Sequence, residues 1–237
     1  MQIANLTTCD IDDYLKKSKT IILPFGSLEQ HGPHLPCGTD TFIAERIALE
    51  ASKEHQFMVA PVLPFGFSPG LHPQMTGTVT ISAITYITLV KEILDNLTRS
   101  GFSKFVCITG HGMNFSPLKT AVMDFLNENN GKALVLGYWE IDEVMAEKQK
   151  LNDDNGVHCT VMETSMMMYL LPDMVDMGKS IDEYNKTSYL LGKKEIRKIS
   201  KSGIIANTRN STVHKGELYF NAAVRGLSRI AKTLDAH

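Results

Sequence analysis

Paired cysteines are missing from this chain: Cys9, Cys37, Cys107 and Cys159 stand far apart with no C-x-x-C among them. That spacing excludes a thiolate zinc knuckle and a disulfide framework, and it makes a reducing cytoplasm the expected location. Long apolar runs are missing too. No stretch reaches the ~18 residues of a membrane span, and Met1-Gln2-Ile3-Ala4-Asn5-Leu6 shows no basic segment followed by an apolar one, so no secretory leader is expected. Excess charge of either sign is absent. The formal net charge is -2, which offers no electrostatic hold on nucleic acid or an anionic lipid surface. Neither an internal repeat nor a low-complexity tract is visible. What remains is 237 residues with 43% hydrophobic and 21% charged side chains, enough for one globular domain over 1–237 with a substantial core.

The densest chemistry lies in Leu23-Pro24-Phe25-Gly26-Ser27-Leu28-Glu29-Gln30-His31-Gly32-Pro33-His34-Leu35-Pro36-Cys37-Gly38-Thr39-Asp40. It follows the β-branched run Thr20-Ile21-Ile22, a buried-strand signal, and sets one Glu, two His and one Asp among turn-forming Pro and Gly. Alternation along an extended backbone sends Glu29 and His31 to one side, and the loop can fold Asp40 back toward them. Two carboxylates and an imidazole on one point suit Zn²⁺, Mn²⁺ or Fe²⁺ better than the all-oxygen shell of Ca²⁺ or Mg²⁺.

Strand, loop and helix then alternate. A helix is predicted over Thr41 to Glu54, a strand over Phe57 to Leu63, and a Gly/Pro loop with Ser68 and His72 as a candidate substrate wall. A short strand over Thr78 to Ser82 precedes a helix over Ala83 to Ser100 with Ile84, Ile87, Val90, Leu94 and Leu97 on one face. Lys104 to Thr109 is predicted as a strand that stops at Gly110-His111-Gly112-Met113-Asn114, where the glycines would let a ligand come close to the backbone. Phe115 to Asn129 reads as a helix, Ala133 to Gly137 as a strand leading to Tyr138-Trp139, and Glu217 to Leu234 as an amphipathic helix. Asn152-Asp153-Asp154-Asn155-Gly156 reads as a turn and flap, and Ile181 to Asn210 gives no clear pattern. The alternation predicts an α/β fold: a mostly parallel central sheet with helices on both faces. In such folds ligands collect beyond the carboxyl ends of the strands. The loops carrying Glu29/His31, His72, His111 and Trp139 all fall there.

His158 and Glu163 are five residues apart, which is not the i, i+4 spacing of a helical ligand pair, so His158 is expected in a loop and Glu163 in a first turn. Glu163 could bind metal, orient His158 or simply favour the helix dipole. Met166-Met167-Met168 reads as core filling.

The chain resembles the creatininase (creatinine amidohydrolase) family through Gly26-Ser27-Leu28-Glu29-Gln30-His31-Gly32-Pro33-His34-Leu35-Pro36 with Thr39-Asp40, through Gly110-His111-Gly112-Met113-Asn114, and through His158 with Glu163-Thr164-Ser165. The resemblance implies a two-metal centre, hydrolysis of amide-type C–N bonds in a small-molecule substrate, and a homo-oligomer, a hexamer built from dimers. It would give Glu29, Asp40 and His111 to one metal and His31 with a bridging Asp40 to the other. It would make His158 the proton-transfer residue and Trp139 an aromatic that closes over substrate. Two positions depart from the pattern. Met113 stands where creatininase places a second-metal Glu, so either Glu163 replaces that carboxylate or one ion is held, and the tryptophan expected just before His158 is missing. Relatives with similar Gly-His-Gly loops act on formamides, modified peptides or cyclic sugar-derived ketones. Two other readings stand beside an amidohydrolase: a metal-binding subunit without catalysis, and a metal-free hydrolase using Ser68 with His72, which lacks the G-x-S-x-G elbow.

Overall fold

A computed structural model describes residues 1–153, 156–183 and 198–237. Two residues of the expected flap, 154 and 155, and the unpatterned segment 184–197 lie outside the described residues. In chain order the helices are α1 (Thr8–Leu15), α2 (Thr39–His55), α3 (Ala83–Arg99), α4 (Phe115–Glu128), α5 (Asp142–Leu151), α6 (Val161–Leu170) and α7 (Val213–Ala236). The strands are β1 (Thr20–Phe25), β2 (Met58–Val59), β3 (Lys104–Thr109) and β4 (Lys132–Gly137).

The strands form one parallel sheet in the order β2-β1-β3-β4. Ile22 stands opposite both Val59 and Val106, and Val106 opposite Leu134. Alternation divides the apolar side chains between two cores. Ile22, Val106, Ile108 and Leu136 pack against α2, α6 and α7 through Ile43, Ile47, Met166, Tyr219 and Leu227. Ile21, Leu23, Phe25, Phe105 and Cys107 pack against α3 and α4 through Tyr86, Val90, Leu94, Leu118 and Phe125. Both faces are thus covered, as an all-parallel sheet requires. Among the described residues no helix is long and apolar enough to cross a membrane.

Two strand expectations shrink. Phe57 to Leu63 yields only Met58–Val59 as a strand, because Pro61 and Pro64 carry no N–H to give a ladder. The segment still follows β1, with Ala60 donating to the Ile22 carbonyl at 2.9 Å and Leu63 to that of Pro24 at 3.1 Å. Thr78 to Ser82 is likewise not a strand; Val79 makes an isolated antiparallel bridge to Leu28. The methionine run behaves as expected, with Met166 and Met167 fully buried.

Strand order reverses direction between β1 and β3, so the loops leaving these two strands diverge and open a crevice at their carboxyl ends. The loop after β1 holds Glu29 and His31, and the loop after β3 holds His111. Asp40 comes from the first turn of α2. Contact between these pieces is close enough to demand glycine: a Cβ on Gly110 would lie 2.1 Å from the backbone oxygen of Asp40. Gly110→Ala should therefore force α2 and the β3 loop apart. We expect a loss of about 1–3 kcal/mol, read as a lower midpoint in urea unfolding at unchanged slope.

Candidate metal centre

Four imidazoles and two carboxylates meet at this crevice, and all six residues are buried or nearly so: Glu29, His31, Asp40, His111 and His158 are at most 6% exposed, with His72 half-buried beside them. Three of the rings share one arrangement. Each gives an N–H to a backbone carbonyl and turns its other nitrogen toward a carboxylate. His31 donates from Nδ1 to the Glu29 carbonyl (3.2 Å), His111 from Nε2 to that of Phe67 (3.1 Å), and His158 from Nε2 to that of Gln30 (2.8 Å). The opposite nitrogens then face oxygen. His31 Nε2 is 3.1 Å from Asp40 Oδ1, and His111 Nδ1 is 3.2 Å from Glu29 Oε2 and 3.1 Å from Asp40 Oδ2. His158 Nδ1 is 3.6 Å from Glu29 Oε1.

A lone pair aimed at a carboxylate oxygen is repulsive unless a proton or a cation lies between them. Both oxygens of Glu29 and Nε2 of His31 are buried without a hydrogen-bond partner. Leaving such groups unsatisfied in the interior costs several kcal/mol. Ring nitrogens fixed by carbonyls are the usual outer support of metal-bound histidine. The donor atoms of Glu29, His31 and Asp40 also lie within 4.8 Å of one another. The residues present therefore fit a divalent ion.

A second trio, Glu29, His72 and His158, is equally close-set, and Gln30 decides between them. Gln30 Oε1 accepts the Gly32 N–H (3.0 Å), so its Nε2 faces His72, His158 and the Gly203 carbonyl. One hydrogen goes to Gly203. His158 Nε2 already donates, so the other goes to His72 Nδ1 at 3.2 Å. His72 thus has its inward lone pair engaged, and the first trio with His111 is the better cradle.

The surroundings hold the cradle in place. Ser27 donates to Asp40 Oδ2 at 2.9 Å, and Thr41 donates to the Ser27 carbonyl at 2.8 Å. Asn114 stitches the loops by donating to the Gly26 carbonyl and accepting from Phe67, both at 2.9 Å. His34 bonds Thr164 through Nε2 at 3.1 Å, a structural role.

Three expectations are corrected. Ser68 is not a substrate wall: it is fully buried, with its hydroxyl 3.2 Å from His111 Nε2. His72 lies inside the cluster rather than on a cavity wall. Glu163 joins neither trio; its Oε2 accepts from the Thr160 N–H at 2.7 Å, closing a capping box at the start of α6. Thr160-x-x-Glu163 is the sequence signature of that box, and it was the available signal. The contributions of Gln30, Ser27 and Asn114 carried no comparable signal. Gly112, Trp139 and Glu163 line a cavity of about 430 Å³ beside the cluster, together with Phe115, Tyr138 and Met162.

A family model described as "Creatininase: Creatinine amidohydrolase" matches residues 4–231. The chain belongs to the creatininase family. It is 26% identical over 225 residues to creatinine amidohydrolase of Pseudomonas putida, covering 88% of this chain and 86% of that one. It is 28% identical over 184 residues to a 3-dehydro-scyllo-inosose hydrolase of Thermotoga maritima, covering 75% of this chain and 58% of that relative's length. Its fold matches a solved structure described as "Creatininase Mn" with TM-score 0.92 at 24% identity, covering 100% of this chain and 99% of the other.

Protonation follows from the geometry of this creatininase-family centre. Burial opposes charge on His31 and His111, but the facing carboxylates outweigh it and lift them to about 9 and about 10. Burial likewise opposes charge on the acids, yet His111 holds Glu29 at about 2 and His31 holds Asp40 well below the usual range. Burial, followed by the charges of His31 and His72, keeps His158 well below its ordinary value and therefore neutral. Without a cation, protons on His31 and His111 neutralise the acids at neutral pH, so an entering ion must displace the proton of any ring it binds. Apparent affinity for Mn²⁺ or Zn²⁺ should climb as pH rises from ~7 toward ~9, with about one proton, that of His111, released for an ion held by Glu29, Asp40 and His111 and a second only if His31 also binds. Titration calorimetry in buffers of different ionisation enthalpy measures that release; none at all would contradict the cradle.

Proposed function

We propose that this protein is a divalent-metal-dependent amidohydrolase that cleaves a non-peptide C–N bond, of cyclic-amide or formamide type, in a small molecule. The observation that carries the reading is the set of buried, carbonyl-anchored imidazoles whose free nitrogens converge on Asp40 and on the unpartnered oxygens of Glu29. Family membership and the Mn form of its structural neighbour support it.

Glu29, Asp40 and His111 would hold one ion, and His31 with Asp40 Oδ1 would offer two donors to a second. When bound, such an ion lowers the pKa of water from about 15.7 toward about 7 and polarises a carbonyl. The N–H groups of Gly110 and His111 are taken by the Phe25 carbonyl and the Thr109 hydroxyl, which leaves that of Gly112, at the cavity wall, as the backbone donor for negative charge developing on the carbonyl oxygen. His158 supplies the proton to the leaving nitrogen. Its Nε2 is fixed by the Gln30 carbonyl, and Nδ1, neutral in the resting site, is free to accept and pass on a proton. Trp139, at the cavity wall, would shield the reacting centre from bulk water.

Met113 carries no carboxylate and is exposed, and Glu163 is engaged by Thr160. The His31 side therefore has too few protein donors for a tight second ion. The four cysteines are free among the described residues, in keeping with a cytoplasmic protein, and a homo-oligomer is the assembly that the family resemblance suggests.

His158→Ala should keep its metal and lose about 10²–10⁴-fold in turnover, the usual contribution of a positioned proton donor. Asp40→Asn should lose metal and activity together, as read by elemental analysis and by hydrolysis of small formamides and lactams with added Mn²⁺ or Zn²⁺. Metal uptake by the unaltered protein without any turnover would favour a binding subunit, and full activity in His158→Ala would remove that residue from its role.

A further inference from the structure

The cavity beside the metal centre is lined by four charged side chains: Glu140, Lys148, Asp153 and Glu163. The three acids are engaged by the protein itself. Glu140 accepts the Gly137 N–H at 2.8 Å, and Glu163 accepts the N–H and hydroxyl of Thr160 at 2.7 and 3.1 Å. Asp153 receives the Lys215 ammonium on one oxygen and the Tyr219 hydroxyl on the other, at 2.6 Å. The Lys215 ammonium offsets the charge of Asp153, while the hydrogen bonds on Glu140 and Glu163 fix where those carboxylates point. Lys148 is different. It is half-buried on α5, and among the described residues no carboxylate lies within ion-pair distance of its ammonium, while its neighbours on the helix are engaged elsewhere, Glu147 with Lys150 and Glu143 with Arg229.

Its place in the cavity matters as much as its freedom. Gly112 and Glu163 mark the inner end, next to His111 and the metal cradle. Lys148, with Trp139, Glu140 and Asp153, also lines a more open depression that adjoins the cavity and includes Met145, Gln149 and Asn152, so these four stand on the cavity's open side and Lys148 is the cation among them. The walls inward of these residues include Phe115 and Tyr138. A volume of about 430 Å³ suits a small molecule rather than a protein chain.

We propose that Lys148 is a substrate anchor, and that the substrate is a small amide bearing an anionic group, carboxylate or phosphate, at the end remote from the scissile bond. The inference rests on the hydrolase reading above and adds the charge of the substrate to it. The apolar walls hold the body of the molecule, while the ammonium selects the anion and sets how deep the amide reaches. A compact, strongly hydrated point charge suits either anion.

Three formamides separate the possibilities with Mn²⁺-loaded protein: N-formylglycine, the phosphate monoester of N-formylethanolamine, and neutral N-formylglycinamide. Hydrolysis and calorimetric binding are both measured, for the unaltered protein, Lys148→Ala and Lys148→Arg. We expect an anionic formamide to be favoured over the neutral one, and Lys148→Ala to lower that ratio about tenfold, with Lys148→Arg restoring most of it. Whichever anionic probe shows the larger Lys148-dependent effect identifies the headgroup. Lys148-dependent binding of an anionic probe without hydrolysis would overturn the hydrolase reading and uphold the anchor. Hydrolysis with no charge preference, a preference unchanged in Lys148→Ala, or no binding of either anionic probe would overturn the anchor.

Discussion

Two carboxylates buried within reach of one another, Glu29 and Asp40, cannot remain negative in a protein interior without compensation, and everything around them is arranged to supply it. Desolvation of each anion costs several kcal/mol, more than surface ion pairs return. The imidazoles of His31 and His111 meet that demand when protonated. A divalent ion meets it with greater charge density and with the ring nitrogens still fixed by backbone carbonyls. The same interaction therefore supports the fold without metal and selects for metal when it is present.

The scaffold makes such a costly cluster tolerable by placing it at the switch point of a parallel sheet. β1 and β3 are neighbours whose loops run apart, and the gap they leave is closed by the first turn of α2 rather than by solvent. Close approach at Gly110 brings the Asp40 backbone against the His111 loop, and Asn114 bonds both the β1 loop and the Phe67 backbone. Outer support of this kind limits how far the donors can drift, and a metal cradle depends on that.

Beside the rigid cluster the cavity has a different character. Its aromatic walls come from the turn after β4, the start of α4 and, through Tyr219, α7, and its charged groups come from that same turn, from α5 and a residue just beyond it, and from α6. On the proposed reading the buried centre carries the hydrolytic chemistry and the cavity the contacts that tell one small molecule from another. The separation accords with relatives of this chain being described as acting on creatinine and on a dehydro-inosose.

The amino-acid order by itself determined the α/β class, the long helices and the grouping of Glu29, His31, Asp40 and His111, because these follow from local periodicity, from turn residues and from ligand-type side chains crowded into two Gly-rich loops. It also placed His158 in a loop and Glu163 in a first turn. Tertiary structure decided the rest. That Ser68 supports His111 instead of meeting substrate, that Gln30 engages His72, and that Glu163 is spent on a capping box depend on which hydrogen-bond partner lies nearest among several. Such choices are made between residues as many as 173 positions apart, as in Gln30 and Gly203. A lone pair carries no sequence signature; its direction is set only when the backbone that holds the opposite ring nitrogen has folded into place.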